Sequence, residues 1–226
     1  MAAKFSHQLY GAFLTFIVLQ SFLVESRSIE LESTQTHEQG QRRNNSSPVD
    51  IGRSNLNESS HLDAKYTFSG GRWYYFPLTY GFQSTSLMPS GLPPQVVLNV
   101  MDEAFRKWQA AVPEFAFQRV YPGENANIKI SFTTTLTPDL YGYGYYPPDG
   151  SLNLDIGHTV WSTKSYPAYN EHDLLSGAMH EIGHTLGLTH SPNPNAVMYH
   201  TLDYGTIRRE LSQEDIGHIQ SLYYYG

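Results

Sequence analysis

Cysteine is missing from all 226 residues, which removes disulfides, thiolate catalysis, Cys-ligated zinc and any latency switch built on a sulfur–zinc bond. The ten histidines become the main metal candidates. Charge is scarce at 15% of residues and leans acidic, with 14 Lys and Arg against 21 Asp and Glu, a formal net charge of -7. That sign disfavours a broad electrostatic footprint on nucleic acid or acidic lipid. Long apolar runs are limited to one, Leu9 to Val24, about 16 residues and short of the roughly 20 that span a bilayer. It follows Lys4 and precedes Val24-Glu25-Ser26, so residues 1–26 read as a signal peptide and the product as secreted and extracellular. With no second such run and no hydrophobic tail, no stable membrane anchor is expected.

Large apolar residues are also few from Arg27 to Lys65, where Ser, Asn, Gln, Glu and Arg prevail. Such a stretch buries too little to offset the entropy of ordering, so residues 27–65 read as a short, largely disordered pro-segment or linker. The sequons at Asn44, Asn45 and Asn57 fit a secreted glycoprotein. The folded domain is expected over 66–226.

Within it, Tyr74, Phe76, Leu78 and Tyr80 alternate as a strand does, and Phe115 to Tyr121, Ile128 to Phe132 and Tyr141 to Tyr146 read as further extended segments. Pro93-Pro94 opens a helix whose apolar positions, Val97, Met101, Ala104, Phe105 and Trp108, recur at helical spacing. A second helix carries Leu174, Ala178, Met179 and Ile182 and stops at Gly187, which tolerates a left-handed backbone. Ser212 and Asp215 cap a last helix that buries Ile216, Ile219 and Leu222. Strands and helices around one core predict an α+β domain.

The informative run is His180-Glu181-Ile182-Gly183-His184-Thr185-Leu186-Gly187-Leu188-Thr189-His190. On a helix, His180 and His184 lie one turn apart on one face and can grip one zinc ion. Gly187 lets the chain turn so that His190 returns as a third ligand, leaving one position open. Glu181 lies beside the metal, placed to take a proton from the attacking water and hand it to the leaving amine.

These residues resemble the metzincin zinc proteases, with Met198 of Ala196-Val197-Met198-Tyr199 matching their methionine turn. Resemblance makes Met198 a floor under the imidazoles; otherwise it fills a core gap. Ser191 directly after the third histidine is similar to the matrixin branch, the matrix metalloproteinases. Tyr66-Thr67-Phe68, Ala104 to Trp108, Ile128 to Phe132 and Leu211 to Tyr223 extend the likeness over nearly the whole domain. The chain is most similar to the compact plant-type form. This implies a mixed three-layer α/β/α-like zincin with a twisted, mostly parallel sheet, two packed helices, an active-site helix and a C-terminal helix.

Departures from the family pattern are equally specific. Tyr143 and Asn153 stand where histidines would hold a structural zinc, and Gly157 and His158 where carboxylates would hold calcium beside Asp155. A phenol and an amide are poor zinc ligands, so one catalytic zinc and no structural zinc or calcium are expected. His200 replaces a proline that shapes the wall of the primed-side pocket. It tunes pH dependence, binds a second metal, or is an ordinary exposed histidine. His158, His172 and His218 lack a partner at ligand spacing and read as surface residues. Ser47 to Gly52 is only faintly similar to the family's latency segment and has no sulfur. The protein is then made active, held by another group such as Asp50, or held by a separate inhibitor.

The expected function is a secreted zinc endopeptidase, a monomeric hydrolase acting on extended protein or peptide substrates; the resemblance implies the extracellular matrix as its setting. The alternative is a zinc-binding, weakly active or inactive homologue acting as a protein-binding decoy or defence effector; a structural domain with a fortuitous motif is opposed by Met198 in register.

Overall fold

The structure is a computed structural model and describes residues 49–53, 71–84 and 86–224. All of these belong to the unit Ser46–Gly226. The signal-peptide stretch 1–26, the three sequons and the expected domain start at Tyr66 lie outside the described residues.

The strands are β1 (Val49–Arg53), β2 (Leu78–Phe82), β3 (Phe117–Arg119), β4 (Ile128–Thr133), β5 (Leu140–Gly144), β6 (Ser151–Asp155), β7 (Trp161–Ser162) and β8 (His172–Asp173). The helices are α1 (Pro94–Ala111), α2 (Leu174–Thr185) and α3 (Gln213–Tyr224). Six strands form one sheet in the order β1-β5-β6-β4-β2-β3, while β7 and β8 pair separately. β4 runs parallel to β2 and β6, with Ile130 opposite Leu152 and Phe132 opposite Leu154. β5 and β1 are antiparallel to their neighbours. The result is a mixed, mostly parallel sheet in an α+β fold.

Two strands are shorter than the sequence suggests. The alternation from Tyr74 does not become a strand until Leu78, because Pro77 has no amide to give a ladder. Of Phe115 to Tyr121 only Phe117–Arg119 pairs, since Phe115 closes a turn on the Val112 carbonyl at 2.9 Å. The larger departure is β1. The composition of residues 27–65 predicts a largely disordered stretch, and within it Val49–Arg53 pairs with β5. A ladder needs only backbone groups, so poverty in apolar side chains does not forbid it.

All three tryptophans of the chain hold α2. The Trp108 and Trp73 indole N–H groups donate to the Met179 and Thr185 carbonyls, each at 2.9 Å. The Trp161 ring lies so close that a Cβ on Gly177 would come within 2.7 Å of it. Trp108 is fully buried with Phe105, Met101 and Ile182 in the core between α1, α2 and the sheet, and each such side chain contributes about 1.5–3 kcal/mol by leaving water. Asp173 caps α2 by accepting from the Ser176 amide at 2.9 Å.

Helix α2 ends as the sequence predicts. Gly187 has φ +103°, its amide donates to the His184 carbonyl at 2.9 Å, and the Leu188 amide donates to the Gly183 carbonyl at 3.0 Å. This pair of bonds satisfies the last helical carbonyls. A Cβ at 187 would meet the Gly71 carbonyl oxygen at 2.5 Å. Gly187→Ala is therefore expected to lower stability by about 2 kcal/mol or more, from the left-handed penalty plus that clash. Urea unfolding of the two proteins measures it, and equal midpoints would contradict the turn geometry.

Candidate active site

His180 and His184 project from α2 one turn apart, and the Gly187 turn returns His190 to them. The three rings lie with centroids 4.8, 5.2 and 5.0 Å apart. His180 Nδ1 is 2.8 Å from the Val197 carbonyl, and His184 Nδ1 is 2.7 Å from the Leu188 carbonyl. A nitrogen that close to a carbonyl carries the proton, so each Nε2 presents a lone pair. These two Nε2 atoms face each other at 3.1 Å. Two opposed lone pairs at that separation repel unless a cation accepts both, and Zn–N bonds of about 2.0–2.1 Å in a tetrahedron would space them similarly.

Burial enforces the neutral form. His180 is 1% exposed and its pKa is held well below the ordinary value, first by burial and then by His184 and His190. His184 is pushed down to about 3, by burial and then by His190. Among the described residues, these three histidines form the group able to hold a metal, their ligand atoms all within 4.8 Å of one another.

Glu181 is fully buried on the same helix. Its neighbour is β5, where a Cβ on Gly142 would lie 3.1 Å from its Oε1 and a Cβ on Gly144 would lie 2.5 Å from its backbone carbonyl oxygen. Two glycines thus let the outer part of the sheet lie directly against the helix that carries the histidines.

Met198 is fully buried beneath this group. A Cβ on Gly183 would come within 2.3 Å of its sulfur, so glycine at that helical position makes room for the thioether. Its carbonyl accepts from the Ser191 amide at 2.8 Å. The Val197 and Met198 amides donate to the two oxygens of Asp215, at 2.9 and 3.1 Å.

The matrixin family model matches residues 72–224. The chain is 36% identical to metalloendoproteinase 1 of Glycine max over 160 residues, 65% of this chain and 50% of that protein. It is 31% identical to metalloendoproteinase 1-MMP of Arabidopsis thaliana over 180 residues, 74% of this chain and 49% of that one. With stromelysin-1 of Equus caballus it shares 35% over 172 residues, 70% of this chain and 34% of that one. The chain belongs to the matrixin family. It spans about half the length of the plant relatives it matches. Matrixins use zinc, and the three-histidine group fits that ion in donor type, spacing and protonation.

Other histidines of this matrixin have varied surroundings. Contrary to the surface position its sequence suggests, His172 is only 3% exposed, because β8 pairs with β7 and turns it onto Tyr141, Trp161 and Tyr204. Burial pushes its pKa down to about 4. His158 is exposed and His218 half-buried. His200 is exposed, its ring 4.3 Å from that of Tyr199 and 6.3 Å from that of His190. Tyr143 and Asn153 are opposite partners across the β5–β6 ladder. Asp155 is fully buried and accepts from the amides of Gly157, His158 and Thr159 at 3.2, 2.7 and 2.8 Å.

Sequence reasoning found Asp215 only as a helix cap. Its carboxylate accepts from the Ser212 amide and hydroxyl, at 2.8 and 2.7 Å, while the Ser212 oxygen accepts from the Asp215 amide at 3.1 Å. The same carboxylate holds the methionine turn, a long-range link that no local spacing announces. Asp215→Ala is expected to cost about 3 kcal/mol or more, since buried hydrogen bonds to a charged group are lost together, and to weaken zinc retention by releasing the Val197 carbonyl from His180. Denaturation and metal competition read the two effects; an unchanged zinc affinity would separate Asp215 from the site.

Proposed function

We propose that this matrixin is a secreted zinc endopeptidase that hydrolyses peptide bonds in extended protein substrates. The observation that carries the reading is the burial of Glu181 on the helix of His180 and His184, against β5. His180, His184 and His190 would hold the ion, which supplies Lewis acidity to a water and to the scissile carbonyl when bound. Glu181 takes the proton of the attacking water and delivers it to the leaving amine. Met198 and Gly187 support the histidines. The outer edge of β5 pairs with the backbone of an extended peptide, so affinity comes from main-chain hydrogen bonds. The fully formed glutamate and histidine arrangement favours an enzyme over an inactive decoy.

One zinc and no stabilising calcium fit the departures in the sequence. Both oxygens of Asp155 already serve three backbone amides, and Tyr143 and Asn153 remain poor ligands. The expected outcome for Glu181→Gln is retention of one zinc per chain with turnover lowered by orders of magnitude, since the amide cannot accept a proton. Metal analysis and cleavage of a quenched peptide library, with and without chelator, check both. Turnover within a few fold of the parent would sink the mechanism.

Latency in this reading is a matter of backbone occupancy. β1 takes the edge of β5 that a substrate strand would use, with Val49 opposite Gly144 and Arg53 opposite Leu140. A chain starting at Tyr66 is expected to cleave peptides faster than the full chain, and mercurials, which act on sulfur, should activate neither. Equal rates would remove residues 27–65 as an inhibitor.

A further inference from the structure

Tyr166 and Tyr169 are 87% and 90% exposed, although the loop that bears them is firmly tied. The Glu171 carboxylate accepts from the Ala168 amide at 2.9 Å and from Lys164 Nζ at 2.7 Å, while the Glu171 amide donates to the Ala168 carbonyl at 2.9 Å. From outside the loop, Arg209 Nη2 donates to the Lys164 carbonyl at 2.5 Å. A third tyrosine joins them. The Gly205 amide donates to the Glu171 carbonyl at 2.9 Å, and a Cβ on Gly205 would lie 3.5 and 3.6 Å from the Pro167 and Ala168 carbonyl oxygens. The turn carrying Tyr204, itself 50% exposed, thus lies against the stretch between the other two. Single exposed aromatics are ordinary, but three around one braced loop form a preorganised platform.

Its charge narrows what it can bind. Lys164 and Glu171, the charged residues of the stretch 163–171, pair with each other, and Asp203 beside Tyr204 adds one negative charge. Polyanions are therefore disfavoured, and a neutral polymer fits. A proline-rich segment matches the tyrosines in chemistry. It already holds an extended helix, so docking orders little; its rings pack on flat aromatic faces, and its carbonyls accept from phenol hydroxyls. Location favours a polypeptide over a neutral glycan. The Tyr204 ring is 4.3 Å from that of His172, which is 5.7 Å from that of Tyr141, which is 6.2 Å from that of His180. Those steps bound the separation of Tyr204 from the histidine group, a length that about five extended residues cover at roughly 3.3 Å each. A chain cleaved at the histidines therefore reaches the tyrosines with its own flank.

We propose that Tyr166, Tyr169 and Tyr204 form a docking surface for a proline-rich segment of the substrate, about five residues or more from the bond that is cut. This rests on the endopeptidase reading for its substrate, and adds a second point of attachment to it. Two linked contacts on one chain raise affinity without changing the reacting bond, so the benefit falls on KM and not on kcat.

Calorimetry with the full chain measures binding of decaproline, of a Gly-Ser peptide of equal length and of cellohexaose. Decaproline is expected to bind about tenfold or more tighter than the Gly-Ser peptide. Tyr166→Ala combined with Tyr169→Ala should remove the difference and leave Tm unchanged, because both side chains stand in water. A quenched peptide then carries either flank about five residues beyond the cleaved bond, on each side in turn. On one side the proline flank is expected to lower KM about tenfold with kcat unchanged, and in the double variant the two flanks should perform alike. Equal binding of the two peptides would overturn the proposal, as would a preference that survives the double variant or one that brings no gain in KM. Binding of cellohexaose in place of decaproline would assign the platform to a glycan and overturn it equally. Decaproline binding that the double variant abolishes, with no peptide cleaved in the presence of zinc, would leave the docking surface standing and overturn the endopeptidase reading instead.

Discussion

Burying imidazoles against one another permits only their neutral form, and the rest of the site follows from that constraint. A proton on His180 or His184 would be a charge out of water beside two further rings, so each ring keeps one hydrogen and needs a fixed acceptor for it. The acceptors are backbone carbonyls, of Val197 and Leu188. Leu188 reaches His184 only because Gly187 turns the chain at φ +103°. Val197 reaches His180 only because Asp215 holds the amides of Val197 and Met198 from the opposite side. The orientation of two ligands is thereby assigned to a helix terminus and to the cap of a different helix.

Closeness of sheet and helix is the second requirement, and it explains the glycines that interrupt the tyrosines of β5. Side chains at 142 and 144 would displace Glu181 or the backbone of α2. Tyr141 and Tyr143 alternate with them, one turned into the aromatic group with His172 and the other edge-on to Tyr145 at 5.3 Å. A run that looks like low-complexity repetition is thus a division of labour: glycine where the helix approaches, tyrosine where surface is to be covered.

Much of this was legible in the sequence because the decisive constraints are local. The spacing of His180, Glu181, His184, Gly187 and His190 encodes one turn of helix, a stop and a return, and the Ser212–Asp215 pair reads as a cap from its three-residue spacing alone. What escaped is long-range. Nothing in the neighbourhood of His172 distinguishes a surface histidine from one that β7 and Trp161 enclose. The reach of Asp215 to residues 197 and 198 depends on how α3 docks. β1 escaped for another reason: composition measures the side chains a segment can bury, whereas the pairing of Val49–Arg53 is made by its main chain.

A shared device links these long-range features. Asp155, Asp173 and Asp215 are all fully buried, and each accepts from backbone amides of a segment that borders the site. Asp155 holds residues 157–159, Asp173 starts α2 and meets the Arg209 guanidinium, and Asp215 holds the methionine turn. An ionised carboxylate accepting several N–H groups is a strong, directional tie that requires neither sulfur nor a bound ion. In a chain without cysteine, such ties fix these segments in place of disulfides. Their placement suits this role: Asp155 ends β6, Asp173 precedes α2, and Asp215 of α3 reaches the Val197 and Met198 amides. Loss of any one tie would therefore reach the histidines through the backbone they lean on rather than through the metal itself.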